Sequence, residues 1–179
     1  APPTAVVTDI APTPTQNATT PAFFAVSVAK LVVLSMCTMG MYQVYWFYKN
    51  WEHIRLRDQP GIWSFPRAFF GVIFCYSCFS HIRKYGLKTG VTPALPAGVL
   101  AVAWILTTFV WKLPDPFWLL GFASVLWVVP VQTYVNQINT AVAPEHDPNR
   151  RFTGWNWFGV VVGGGLLVLM LIGTFMPVD

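Results

Sequence analysis

Apolar residues in this chain neither alternate nor mark one stripe of a helix. They run on through whole segments. A helix that crosses a hydrocarbon core about 30 Å thick takes about 20 apolar residues. Three segments meet that need: 23–48, interrupted by Lys30, then 117–135 and 155–176. A fourth, 95–111, is shorter and uncharged. A fifth, 68–79, stops at His81, Arg83 and Lys84, and so short a run reads as re-entrant or interfacial. The pattern predicts an all-α, polytopic transmembrane helix bundle. It has four spanning helices plus one re-entrant or interfacial helix, with five spans as the alternative. Residues 1–22 are rich in Pro, Thr and Ala and carry one charge, Asp9. They read as an extended tail rather than a signal peptide, which would open on a basic stretch before its apolar run. The division is therefore a tail, 1–22, and a transmembrane domain, 23–179.

Composition sharpens this picture. Hydrophobic residues make up 55% of the 179 positions and charged residues 10%, against about 25% charged in a soluble domain. Mean hydropathy is +0.52. A water-soluble enzyme, a disordered chain and a disulfide scaffold are excluded as readings of the whole chain, the last also by an odd cysteine count of 3.

Charge sets the expected orientation. If 68–79 does not cross, both termini lie outside. The cytoplasm then receives Lys49, Arg55, Arg57, Arg67, Arg83, Lys84, Lys88, Arg150 and Arg151, leaving Lys30 and Lys112 of the 11 basic residues outside. If it crosses, the basic residues split about evenly, so the four-crossing topology is favoured. Arg55, Arg57, Arg83, Lys84, Arg150 and Arg151 are candidates for lipid headgroups rather than nucleic acid. Lys30 is expected to snorkel to the outer interface. Tyr42, Tyr45, Trp46, Tyr48 and Trp51, with Trp155 and Trp157, are expected to anchor interfacial belts.

An internal repeat is visible. Gln43-x-Tyr45-x4-Asn50 recurs as Gln132-x-Tyr134-x4-Asn139, and Pro60-x9-Phe70-Gly71 recurs as Pro148-x9-Phe158-Gly159. The halves are about 31–84 and 117–176, parallel in a four-crossing topology and inverted in a five-crossing one. Gln132, Asn136 and Asn139 share one helix face. They serve either interhelical hydrogen bonding or a ligand site at the cytoplasmic rim. Gly159 and Gly163 open a flat face on the last helix, for an internal contact or a subunit interface. Pro130 is expected to kink its helix.

Two patterns point weakly to chemistry. His53-x4-Asp58 has the spacing of glycerolipid acyltransferases, in which His is the general base and Asp orients it. No second substrate motif follows it. Cys75-x2-Cys78-x2-His81 lacks the fourth ligand of a structural zinc site, so no metal is expected. No spanning segment contains an acidic residue, which argues against transport through a carboxylate relay.

Tyr45-Trp-Phe-Tyr-Lys-Asn-Trp51, Arg67-Ala-Phe-Phe70, Phe74-Cys-Tyr-Ser77 and Leu113-Pro-Asp-Pro116 resemble an uncharacterised family of small bacterial multi-pass membrane proteins with a YWFYKNW-type signature. Val131-Gln132, residues 136–139 and Phe152-x2-Trp155-Asn156 are similar to its second half. The resemblance covers about 23–168 and implies a bacterial inner membrane, with no activity, cofactor or catalytic residue. The sequence thus leads to a non-catalytic accessory or scaffold subunit of a larger membrane complex. Pro12, Pro14, Gly159 and Gly163 are its interface candidates. No cofactor is expected beyond a bound lipid. A small-solute or lipid transporter built around the Gln43/Asn50 and Gln132/Asn139 pairs is the second reading, and a lipid acyltransferase-like enzyme using His53 and Asp58 the third.

Overall fold

The computed structural model describes residues 19–176, and among these the regular structure is all helical. The helices are α1 (Val28–Cys37), α2 (Met41–Arg57), α3 (Ser64–Phe69), α4 (Gly71–Lys88), α5 (Ala97–Phe109), α6 (Ser124–Val142) and α7 (Gly154–Phe175). Short 3-10 stretches, Val110–Lys112 and Phe117–Ala123, extend α5 and lead into α6.

The first apolar run is not one helix. Residues 23–26 are non-helical and buried. Helix α1 starts only after Ser27, whose hydroxyl accepts from the Lys30 N–H at 3.3 Å as an N-cap. Ten residues later the chain turns back through Met39 and Gly40, both at positive φ (51° and 86°). Gly40 takes that conformation without steric cost. At about 15 Å, α1 is half the thickness of a bilayer core. Segment 23–48 therefore forms a buried entry strand and a helical hairpin, not the expected span.

Both open ends of that hairpin lie at one pole. Helix α1 begins beside the 149–152 loop, where Lys30 Nζ donates to Asn149 Oδ1 and the Arg151 carbonyl, each at 2.8 Å. Helix α2 ends at Arg57, whose Nη1 donates to the Ala22 carbonyl at 2.8 Å. Lys30 is thus buried against the loop that carries Arg150 and Arg151. It does not snorkel to a face opposite them. Helix α3 doubles back along α2. After the break at Phe70, α4 runs parallel to α2, with Gly71 beside Phe47, His81 against Trp51 and Tyr85 under Arg57. Segment 68–79 straddles this reversal. Helix α5 leaves the basic pole and α6 returns to it, parallel to α2, so that Gln43 meets Ser124 and Trp46 meets Gln132. Helix α7 packs on α1.

The core is aromatic. Phe47 stacks on Phe79 at 5.8 Å and meets Trp104 edge-on at 5.1 Å. Trp46 and Trp51, expected at a headgroup belt, are fully buried in this core; each lies on the inward face of α2, where ring burial outweighs interfacial anchoring. Trp155 and Trp157 are exposed. Among the described residues two helical stretches are long and apolar enough to cross a membrane: Phe117–Val142 and Gly154–Phe175. The second has no buried residue.

Candidate functional site

The repeated amides do converge, and what they enclose is the chain's own entry strand. Asn139 reads Phe23 on both sides: its Oδ1 accepts from the Phe23 N–H and its Nδ2 donates to the Phe23 carbonyl, both at 3.0 Å. Asn50, its counterpart in the first half, accepts from the next N–H, that of Phe24, at 3.3 Å. Gln132 Nε2 donates to the carbonyls of Phe24 and Val26, and Asn136 Nδ2 donates to Val26 at 3.1 Å. Asn149 donates to the Ala25 carbonyl at 3.1 Å. A non-helical backbone buried in an apolar bundle must find partners for its N–H and C=O groups. The spacing of residues 132, 136 and 139 places one amide per helical turn along the strand.

The two glutamines occupy matching roles. Gln132 Oε1 accepts from the Trp46 indole at 2.5 Å, and Gln43 Oε1 accepts from the Trp104 indole at 2.7 Å. The tyrosines diverge. Tyr134 is buried against Gly86 and donates to the Val91 carbonyl at 3.3 Å, whereas Tyr45 is half exposed, edge-on to Phe24.

Arg57 seals the end of the strand. Its guanidinium lies 4.6 Å from the Phe23 ring centroid and 3.9 Å from that of Tyr85, and it pairs with Asp58. It is therefore a structural clamp and not a free headgroup ligand. Arg55 pairs with Glu52. Arg83, Lys84, Arg150 and Arg151 are exposed.

The enzymatic pattern does not assemble. Asp58 is taken by Arg57, and His53 makes neither a hydrogen bond nor an ion pair with it. A spacing of five residues turns about 140° around a helix, which points the two side chains apart. Burial, with Lys49 and Arg57 nearby, pulls the His53 imidazole down to about 4. Cys75 and Cys78 are buried, and His81 donates from Nδ1 to the Ser77 carbonyl at 2.8 Å. Among the described residues no group of three or more His, Cys, Asp or Glu could hold a metal ion. Gly163 lies so close to α1 that a Cβ there would overlap the Cys37 carbonyl, and Gly159 faces Thr38. Their flat face is used within the chain rather than at a subunit interface. Pro12 and Pro14 lie outside the described residues.

A second feature lies away from the basic pole. A half-enclosed cavity of about 360 Å³ opens near the α1–α2 turn. Its polar side carries Ser35, Gln43 and Ser124, and its walls include Phe47, Trp104 and Trp118. Of its polar residues only Gln43 stood out in the sequence, because Ser35 and Ser124 sit singly in apolar runs. The entry strand was equally hidden by its apolar side chains. The repeat of Gln43 and Asn50 as Gln132 and Asn139 marked the amides, but not the backbone that Asn50, Gln132, Asn136 and Asn139 serve. No family model, no curated protein and no solved structure matches the chain.

Proposed function

We propose that the chain is a non-catalytic integral membrane protein of the bacterial inner membrane, an accessory or scaffold subunit held against a larger membrane complex. The observation that carries this reading is the fate of the polar side chains. Gln43, Asn50, Gln132, Asn136 and Asn139 bond to each other's neighbours and to the entry strand. Asn50, Gln132 and Asn139 are engaged in that way, so the repeated pairs do not share a pocket of the kind a transporter built around them would use. Helix α7 supports the accessory role, with 22 uncharged residues that touch the rest of the fold along one narrow face.

In the proposed topology α5 with its 3-10 extension, α6 and α7 cross the bilayer. The α1–α2 and α3–α4 pairs enter from the basic pole and return to it. That pole faces the cytoplasm, which keeps Lys112 as the one basic residue on the far side among those described. Extraction in a mild detergent followed by native mass measurement tests the reading. Co-migration with a defined large complex is expected. Migration alone, as a monomer or dimer, overturns it.

A further inference from the structure

We propose that the cavity near the α1–α2 turn is a binding site for a neutral, carbonyl-bearing lipid, held by hydrogen bonds from Ser35 and Ser124. The starting point is an unpaired donor. Ser35 is 2% exposed, its hydroxyl has no hydrogen-bond partner, and it lines the cavity. A buried hydroxyl left unpaired is destabilising, and a helical serine ordinarily relieves that by bonding a carbonyl one turn back. Here it does not.

Ser124 also lines the cavity; its Oγ accepts from Gln43 Nε2 at 3.1 Å, which leaves its own hydrogen free to donate. The Gln43 carbonyl is held by Trp104, so the amide cannot flip to compete for that hydrogen. Two serines with a hydroxyl hydrogen to give therefore line one space, and an acceptor oxygen reached by a small rotation of Ser35 would satisfy both. The volume, about 360 Å³, is within the range of small-molecule sites, about 300–1,000 Å³. Among the described residues none that lines it is charged. A carboxylate or phosphate would meet no cation there and would bear the full cost of desolvation. A neutral carbonyl would not. Trp104, Trp118 and Phe47 offer flat apolar walls for the body of such a molecule. Both an ester carbonyl of a glycerolipid and a ring carbonyl of a quinone have this chemistry. The site is independent of the accessory-subunit reading.

The test uses the full chain in detergent, titrated separately with dioctanoylglycerol and with a short-tailed benzoquinone. Binding is read by native mass spectrometry and by the shift in unfolding temperature. Saturable binding of one probe is expected, and the arm that binds names the source of the carbonyl. Ser35→Ala is expected to weaken it about 3- to 10-fold. Without probe, the same variant is expected to unfold at or above the wild-type temperature, because it removes an unpaired hydroxyl. Ser35→Leu, which removes the hydroxyl and places bulk at the same point of the cavity wall, should weaken binding further than Ser35→Ala. Absence of saturable binding by either probe overturns the proposal. So does equal binding by wild type and Ser35→Ala.

Discussion

Asn139 satisfies both backbone groups of a single buried residue, which makes it costly to lose. Asn139→Ala strands the N–H and the carbonyl of Phe23 in the core and is expected to cost about 2–4 kcal/mol. Asn136→Ala is expected to cost less, about 0.5–1.5 kcal/mol, because Gln132 still donates to Val26. Reversible denaturant titration in micelles checks both, and equal losses would show that the strand is not what the amides hold. His53 gives a pH dependence of definite sign. Its folded value, about 4, lies below the ordinary 6.5, so the unfolded chain binds this proton more tightly. The contribution is whole above pH 6.5 and is lost as pH falls through 6.5 toward 4. His53→Gln should flatten that part of the stability profile. At this scale the sequence was half legible. The amide face of α6 was visible as a periodic pattern, but its partner was a backbone, and backbone atoms carry no sequence signature.

Helix–helix contacts depend on glycines that look alike in sequence and differ in space. At Gly163 an added methyl meets the Cys37 carbonyl, whereas at Gly159 its nearest neighbour, Thr38 Cγ2, lies 3.9 Å away. Gly163→Ala is therefore expected to push α7 off α1, and Gly159→Ala to be tolerated. Spin-label distances between the two helices distinguish the cases; a shift in both variants or in neither would contradict this packing. Gly86 is a third such place, where an added methyl would overlap the hydroxyl end of Tyr134. Gly86→Ala is expected to cost about 1–3 kcal/mol, and Tyr134→Leu in the same chain to recover part of it. Apolar length was the strongest signal at the level of elements, and it located α6 and α7. It failed at 23–48 because a buried strand, a short helix and a returning helix are as apolar as a single span. The reversal depends on one local feature, the positive φ at Met39 and Gly40, which hydropathy does not register.

The molecule as a whole is sided. Residues 22–30, the end of α2 and the 149–152 loop touch one another at the basic pole. Single cysteines at Thr20 and Asp147, in a background without Cys37, Cys75 and Cys78, should therefore react with an impermeant maleimide from the same face of oriented vesicles. Labelling from opposite faces would restore a topology in which 23–48 crosses. The charge count grouped the basic residues from sequence alone, but it could not see that the entry strand lies at the same pole as they do.

The amide cradle also sets an order of events during synthesis. Phe23 is translated 116 residues before Asn139, its partner. Until α6 has emerged, only Asn50 and Arg57 of α2 can hold the entry strand. The part of the fold made first is secured last, so a chain halted before Asn139 leaves the membrane machinery with an open bundle and an unclaimed peptide at its mouth.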